Sequence, residues 1–322
     1  MFNRNLLYYA FVVLLTIPFN VSAQKNIKPY LGYYRASRGT HLLLEEDNTF
    51  CIIAYATFIK GFWSMEKGRI VVTPKNPTHC FELLGRYNPT IKEGFKIMFK
   101  GFSEEDTFLG KAGSDSMQRV FNKNPNCFDN PYVYQFKENT SRISFVDVIS
   151  EAHIDYNRRN TYTFPLGQHN DFIAVYHDPG QYYDEMIFTI AQVSGKIILN
   201  GSNVFHKLPM DERLKKEMRE IKEMAKQEGD INSVYCNPSY NVFDETAMSI
   251  EDNFSFDTAK NAFISKFNYV EGEELHPELK EDAYHSIGVL YKYDKILPAT
   301  IALIPFKIIE KSLFIAKCAG EE

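Results

Sequence analysis

From Thr40 onward the chain alternates in twos, and turn residues interrupt the alternation roughly every ten residues. Leu42 and Leu44 share one face, and Glu46-Asp47-Asn48 reads as a turn. Phe50, Ile52, Ala54 and Ala56 then point one way, with Cys51, Ile53 and Tyr55 on the other side. Gly61-Phe62-Trp63-Ser64-Met65 is a short strand, Glu66-Lys67-Gly68 a turn, and Arg69 to Thr73 the return strand. His79 to Leu84 and Phe95 to Phe99 continue the series. A period of two puts successive side chains on opposite faces of a sheet and cannot serve one face of a helix. Aromatic residues make up 15% of the sequence, with 26 Phe and 20 Tyr but a single Trp, which favours strands further. The pattern predicts a mainly β protein, built as two antiparallel β-barrel or β-sandwich domains with one amphipathic helix.

The run Leu42-x-Leu44, Asp47-Asn48-Thr49-Phe50, Gly61-x-Trp63, Gly68-Arg69-Ile70-Val71-Val72 resembles a hairpin unit of bacterial extracytoplasmic lipocalin-like domains. Asn48 stands where Gly is usual in that unit, and Trp63 falls on about the third strand, whereas lipocalins carry G-x-W on the first. The resemblance covers residues 42–73 and implies a β-barrel or meander with a bound ligand. No binding residue of that family maps onto this chain.

Residues 102–130 read as a linker or a long loop packed on the sheet, with Ser103-Glu104-Glu105-Asp106 and Pro125 in them. Strand patterns resume at Tyr132–Phe136 and Arg142–Val148, then at Thr161–Phe164, Phe172–Tyr176, Met186–Ala191 and Lys196–Leu199. Gly195-Lys196-Ile197-Ile198-Leu199 echoes Gly68-Arg69-Ile70-Val71-Val72, as two β domains meeting near residues 110–130 would. The predicted division is a signal peptide over 1–23, an N-terminal β domain over 24–115, and a C-terminal β-rich domain over 116–322. The helix is predicted over 209–228, with Pro209 in its first turn and Gly229 after its end. Met210, Leu214, Met218, Ile221 and Ala225 form its apolar stripe, which suits a helix laid on the side of the second sheet. Asp257 is placed to cap a second, short helix to Phe267. Ile287–Tyr293, Thr300–Ile304 and Leu313–Lys317 read as terminal strands.

Arg4 is the only charge in the first 24 residues. The apolar run Leu6 to Phe19 and the small residues of Val21-Ser22-Ala23 follow it. A basic start, a short apolar run and an A-x-A-like site describe a secretory signal peptide, cleaved after Ala23. The run is shorter than the roughly 20 residues of a spanning helix. The expectation is an extracytoplasmic protein, secreted or periplasmic, with no stable membrane span after cleavage. All five cysteines (Cys51, Cys80, Cys127, Cys236 and Cys318) follow the cleavage point and include no C-x-x-C pair. An oxidising compartment permits bridges among them, but their spacing leaves the pairing open. A net charge of −5 gives no field to attract nucleic acid.

The chemistry of the sequence is sparse. No G-x-S-x-G, S-x-x-K, H-E-x-x-H or phosphate-loop motif occurs. His169, Asp171 and His177 share strand parity, and a zinc or copper site built on them is conceivable. His169 and His177 lie roughly 26 Å apart in an extended strand, so the sequence is read as holding no metal and no cofactor. Tyr182 and Tyr183 follow a Pro179-Gly180 turn and are the best-placed aromatics for exposure; with Trp63 they are the candidate ligand-binding residues. No catalytic residue is assigned. The leading expectation is a binding module for a small apolar ligand, a glycan or an envelope partner. The alternatives are an extracytoplasmic hydrolase using His153, His169 and His177 with nearby carboxylates, and a structural envelope component.

Overall fold

The structure, a computed structural model, describes residues 27–55, 57–102, 106–128, 130–149, 157–158, 160–209, 211–216, 219, 232–241, 249–267, 269–271 and 288–318. The predicted signal peptide and most of the predicted helix 209–228 lie outside them. The chain is mainly β and divides into two compact units. Among the described residues, the first holds 27–75 and 184–219, and the second the remainder.

The first unit is a closed eight-stranded barrel. Its strands are β1 (Gly32–Arg35), β2 (His41–Leu44), β3 (Thr49–Ala54), β4 (Thr57–Glu66), β5 (Arg69–Pro74), β15 (Met186–Val193), β16 (Lys196–Asn200) and β17 (Val204–Lys207). Each pairs antiparallel with its neighbours in chain order, and β17 closes on β1 through Tyr34↔Lys207. One long excursion interrupts this up-and-down path, between β5 and β15. The alternation read from the sequence places Tyr34, Leu42, Leu44, Phe50, Ile52, Trp63, Ile70, Val72, Phe188, Leu199 and Phe205 in one buried interior cluster. Eight strands enclose a space about wide enough for side chains to fill. Gly61 sits within this packing, since a Cβ there would lie 2.2 Å from the Thr73 carbonyl oxygen and 2.8 Å from the Phe50 ring.

The hairpins β4–β5 and β15–β16 turn on Lys67-Gly68 and Ser194-Gly195, with all four residues at positive φ. Two such residues in sequence suit the twist of a two-residue hairpin. The echo between Gly68–Val72 and Gly195–Leu199 therefore comes from two hairpins of the same barrel. Asn48 also has positive φ, at 64°, the conformation that makes Gly usual there.

The second unit contains two sheets. Its strands are β6 (Phe81–Arg86), β7 (Phe95–Lys100), β8 (Asp106–Lys111), β9 (Ser116–Arg119), β10 (Tyr132–Phe136), β11 (Arg142–Ile149), β12 (Asn157–Arg158), β13 (Thr161–Pro165), β14 (Asp171–Tyr176), β18 (Ser233–Cys236), β19 (Phe254–Asp257), β20 (Ala262–Ser265), β21 (Val289–Ile296), β22 (Thr300–Ala302) and β23 (Lys307–Ile309). One sheet runs β10-β7-β14-β6-β21-β20-β19, with β18 on β21; the other runs β22-β13-β11-β8-β9-β23, with β12 on β11. The pairs β14–β7 and β23–β9 are parallel and the others antiparallel. Phe81, Leu83, Phe99, Phe172 and Ala174 from the first sheet share a core with Leu109, Ile143, Phe145 and Phe164 from the second. Phe81 stacks on Phe145 with ring centroids 5.6 Å apart. Inner faces of two sheets interdigitating in this way make a β-sandwich.

Several expectations change. The division at 115/116 is not where the contacts divide, because barrel closure draws on strands far apart in sequence. Residues 102–130 are not a linker: Thr107-Phe108-Leu109 and Met117 are buried in β8 and β9. The short helix from Asp257 to Phe267 is instead the β19–β20 hairpin, turning where Asn261 adopts φ 48°. Spacing four on Ala259, Phe263 and Phe267 fits both, and pairing of β20 with β21 selects the hairpin. Leu313–Lys317 is not a strand but touches the sheet at one bridge, Phe121↔Phe314, while Lys307–Ile309 is a strand. Of the predicted helix, residues 212–216 and 219 are helical and belong to the barrel unit, not to the second one. Asp211 starts it by accepting the Leu214 N–H at 2.8 Å, displacing Pro209 from the first turn. Among the described residues no helix is long and apolar enough to cross a membrane.

Cys127 and Cys318 form a disulfide across 191 positions, while Cys51, Cys80 and Cys236 are buried and outside it. Thiol titration of the denatured, unreduced protein should therefore return three. Loop closure on this scale contributes up to about 5 kcal/mol. Replacing Cys127 and Cys318 with Ser should lower the unfolding free energy by several kcal/mol in urea titration, with no change to Cys51, Cys80 or Cys236.

Candidate functional site

In the second unit a cleft of about 440 Å³ is lined by Thr78, Cys80, Asn160, Tyr162, Pro179, Tyr182 and Leu303. Its walls are ends of strands. The His177 N–H donates to the Cys80 carbonyl at 2.7 Å, which carries the β6–β14 pairing one step past Tyr176↔Phe81. The chain then enters a single 3-10 turn, Pro179–Gln181, in which Asp178 Oδ1 accepts the Gly180 N–H at 2.7 Å. Pro179 suits the first position of that turn, and the turn delivers Tyr182 to the cleft. On the other sheet, Tyr162 lies opposite Ile301, and Leu303 follows β22.

The Tyr162 ring packs against Phe81 and His79, and its hydroxyl bonds to the Cys80 side chain. Burial, and then Cys80, push the Tyr162 phenol above its ordinary value. Nearby, the buried Asp147 accepts the Tyr176 hydroxyl at 2.9 Å. Tyr182 differs from the other phenols of this site. Its hydroxyl oxygen is buried and has no hydrogen-bond partner. Burial raises its pKa to about 12, helped by Cys80, Asp147, Glu82 and Asp178, so it stays a neutral phenol. A buried hydroxyl without a partner costs about 1–3 kcal/mol.

Glu82 Oε2 lies 3.6 Å from His177 Nε2, and Lys295 Nζ lies 2.9 Å from Glu82 Oε1. The neighbouring His177, and then Lys295 against an opposing burial effect, hold the Glu82 carboxyl down at about 2. A carboxyl with a depressed native pKa adds stability above its unfolded value and loses it as pH falls toward the native one. The fold should thus weaken between about pH 4.5 and 2, and Glu82→Gln should flatten that part of the stability curve in chemical denaturation.

The sequence-derived candidates scatter. Tyr182 lines the cleft; Tyr183 does not, being 44% exposed and held through its backbone by Asn76. Trp63 is buried in the barrel, away from this cleft, with its Nε1 donating to the Glu45 carbonyl at 2.9 Å. His169 sits 3.2 Å from the Leu166 carbonyl, and His177 pairs with Glu82. His153 lies outside the described residues. Among the described residues no three His, Cys, Asp or Glu side chains converge on one point, so His169, Asp171 and His177 are not gathered.

Asp171 is taken up elsewhere. It is fully buried opposite Arg86 in the β14–β6 pair. Its Oδ2 accepts Arg86 Nε at 2.9 Å, Asn88 Nδ2 at 2.9 Å and Tyr293 Oη at 3.1 Å, with Arg86 Nη2 at 2.8 Å. Its Oδ1 accepts Tyr240 Oη at 2.7 Å. The Arg86 guanidinium also lies 3.7 Å over the Tyr291 ring. This carboxylate is supplied with donors on both oxygens and acts as a clamp between strands. Sequence reading missed the clamp, and it missed Cys80, Asn160 and Thr78 in the cleft. An acid heading an apolar strand and an arginine ending another are its only linear traces.

Compared with protein-family models, curated proteins and solved structures, the chain matches none of them.

Removing one partner of a buried ion pair costs about 3–5 kcal/mol. Asp171→Ala should lower stability by that amount in urea unfolding without altering what the cleft binds; a loss below about 1 kcal/mol would show that the clamp is dispensable.

Proposed function

We propose that this is an extracytoplasmic binding protein that takes a small ligand into the cleft beside Tyr162 and Tyr182. The observation that carries the reading is the buried, unpartnered Tyr182 hydroxyl in that cleft. Its volume falls in the range of small-molecule sites, and its lining mixes two aromatic rings and apolar walls with an amide and a hydroxyl. The signal-peptide pattern of residues 1–23 and the Cys127–Cys318 disulfide support an oxidising, extracytoplasmic location. The eight-stranded up-and-down barrel agrees with a lipocalin-like reading of residues 42–73. The ligand is assigned to the cleft and not to the barrel because the unpartnered Tyr182 hydroxyl belongs to the cleft wall.

A native mass spectrum of the protein purified from its own cell's envelope or medium tests this. A mass excess that vanishes on denaturation supports the reading. A bare mass, with no ligand from a small-molecule panel shifting the Tyr162 and Tyr182 resonances, would sink it. Tyr182→Phe should raise unfolding stability by about 1 kcal/mol, because it deletes the unsatisfied hydroxyl. The same change should weaken ligand binding about ten-fold in calorimetry.

A further inference from the structure

In the second unit, Leu297, Ile301, Leu303 and Ile304 are all exposed and fall within one short stretch around β22. β22 is an edge strand: β13 flanks it on one side and, among the described residues, no strand flanks it on the other. An edge strand turns a row of backbone N–H and C=O groups outward, where another strand can pair with them. Natural edges are commonly blunted by charged side chains, lysine above all. Here the run Leu297-Pro298-Ala299-Thr300-Ile301-Ala302-Leu303-Ile304-Pro305-Phe306 carries no charge, in a chain of which 24% is charged. Pro298 and Pro305 lie outside β22, so the strand keeps all of its own amide donors.

The register shows what this edge lacks. Phe145 lies opposite Tyr162 and Tyr162 opposite Ile301, so the three side chains form one row across β11, β13 and β22. Phe145 is fully buried, Tyr162 half-buried and Ile301 39% exposed. Cross-strand neighbours stabilise a sheet, and this row stops at an apolar residue with no strand beyond it. A two-fold contact uses the same patch on both copies, so a charge near its axis meets its own sign. Self-pairing therefore needs an edge without charge, whereas a different partner could match a charge on β22 with the opposite one.

We propose that β22 pairs antiparallel with β22 of a second copy of this chain, about a two-fold axis at Ile301. Ile301 then faces Ile301 of the second copy, and Thr300 faces its Ala302. The row Phe145–Tyr162–Ile301 continues through the second copy's Ile301, Tyr162 and Phe145, and the two sheets become one. Leu303, two residues past Ile301, lines the cleft, so the second copy's Ile301 comes to its rim. The pairing does not depend on what the cleft binds.

Sedimentation velocity of the full mature chain from about 1 to 200 µM tests this: the monomer should give way to a species of twice its mass as concentration rises. Ile301→Lys sets two ammonium groups against each other on the axis and should weaken association at least about ten-fold. Its circular dichroism should stay that of the folded protein, because Ile301 is an exposed edge residue. Ile301→Glu should behave in the same way, and an equimolar mixture of the two variants should restore the dimer, since Lys then faces Glu. If either charge prevents folding, Leu303→Lys, at a side chain 63% exposed, takes its place and should weaken the dimer several-fold. A monomer at every concentration overturns the proposal and leaves the edge to a strand of another protein. A dimer undiminished by Ile301→Lys or Leu303→Lys is built elsewhere and overturns it too. So does a mixture of folded Lys and Glu variants that stays monomeric.

Discussion

The architecture depends on β15 returning to β5. Met186 lies opposite Val72 and Phe188 opposite Ile70 after the whole of 76–183 has been threaded through the second unit. That pairing closes the cylinder, and closure removes the open edges that an unfinished five-stranded meander would present. It also completes the walls around Trp63, Ile70 and Val72, which otherwise would be packed on one side only. Contacts so distant in sequence are entropically expensive to form, so the strands of the barrel must be held by burial and not by local preference alone.

Two treatments of buried polar groups stand side by side in the second unit. Asp171 receives donors from Arg86, Asn88, Tyr240 and Tyr293 and leaves nothing for a ligand. Tyr182 carries a buried hydroxyl with no partner. Low dielectric strengthens satisfied polar networks and penalises unsatisfied groups, so the first feature stabilises the fold and the second works against it. On the proposed reading, that hydroxyl is kept for a ligand in the cleft with aromatic walls.

The alternation over 40–73 was legible down to the turns: Gly68 and Asn48 adopt the positive φ that their residue types favour. So were the strands at Tyr132–Phe136, Arg142–Ile149 and Asp171–Tyr176, apart from a residue at an end. Residues 102–130 failed because acidic and Gly-rich stretches flank β8 and β9, whose burial comes from neighbours distant in sequence. The Asp257–Phe267 segment failed because a spacing of four serves a short helix and a hairpin equally until β21 pairs with β20. Trp63 falls in the barrel and not in the cleft, a difference the sequence could not carry because an aromatic side chain in a strand looks the same on either face. Tyr182 reaches the cleft because the Pro179–Gln181 turn delivers it there, half-buried and not exposed as a residue after Pro-Gly was expected to be.

What the sequence determined by itself was local: strands by their period of two, turns by their Gly, Asn and Pro residues, and a mainly β class through the two together. These depend on backbone sterics and on which face of a strand is apolar, both of which can be read a few residues at a time. Tertiary structure alone decided that β1–β5 and β15–β17 belong to one barrel, that Cys127 meets Cys318, that Asp171 meets Arg86, and that Tyr162 and Tyr182 face one cleft. Each of these joins residues far apart in the chain. Their pairing is set by which combination buries the most apolar surface with its polar groups satisfied, a property of the whole chain that no short window contains.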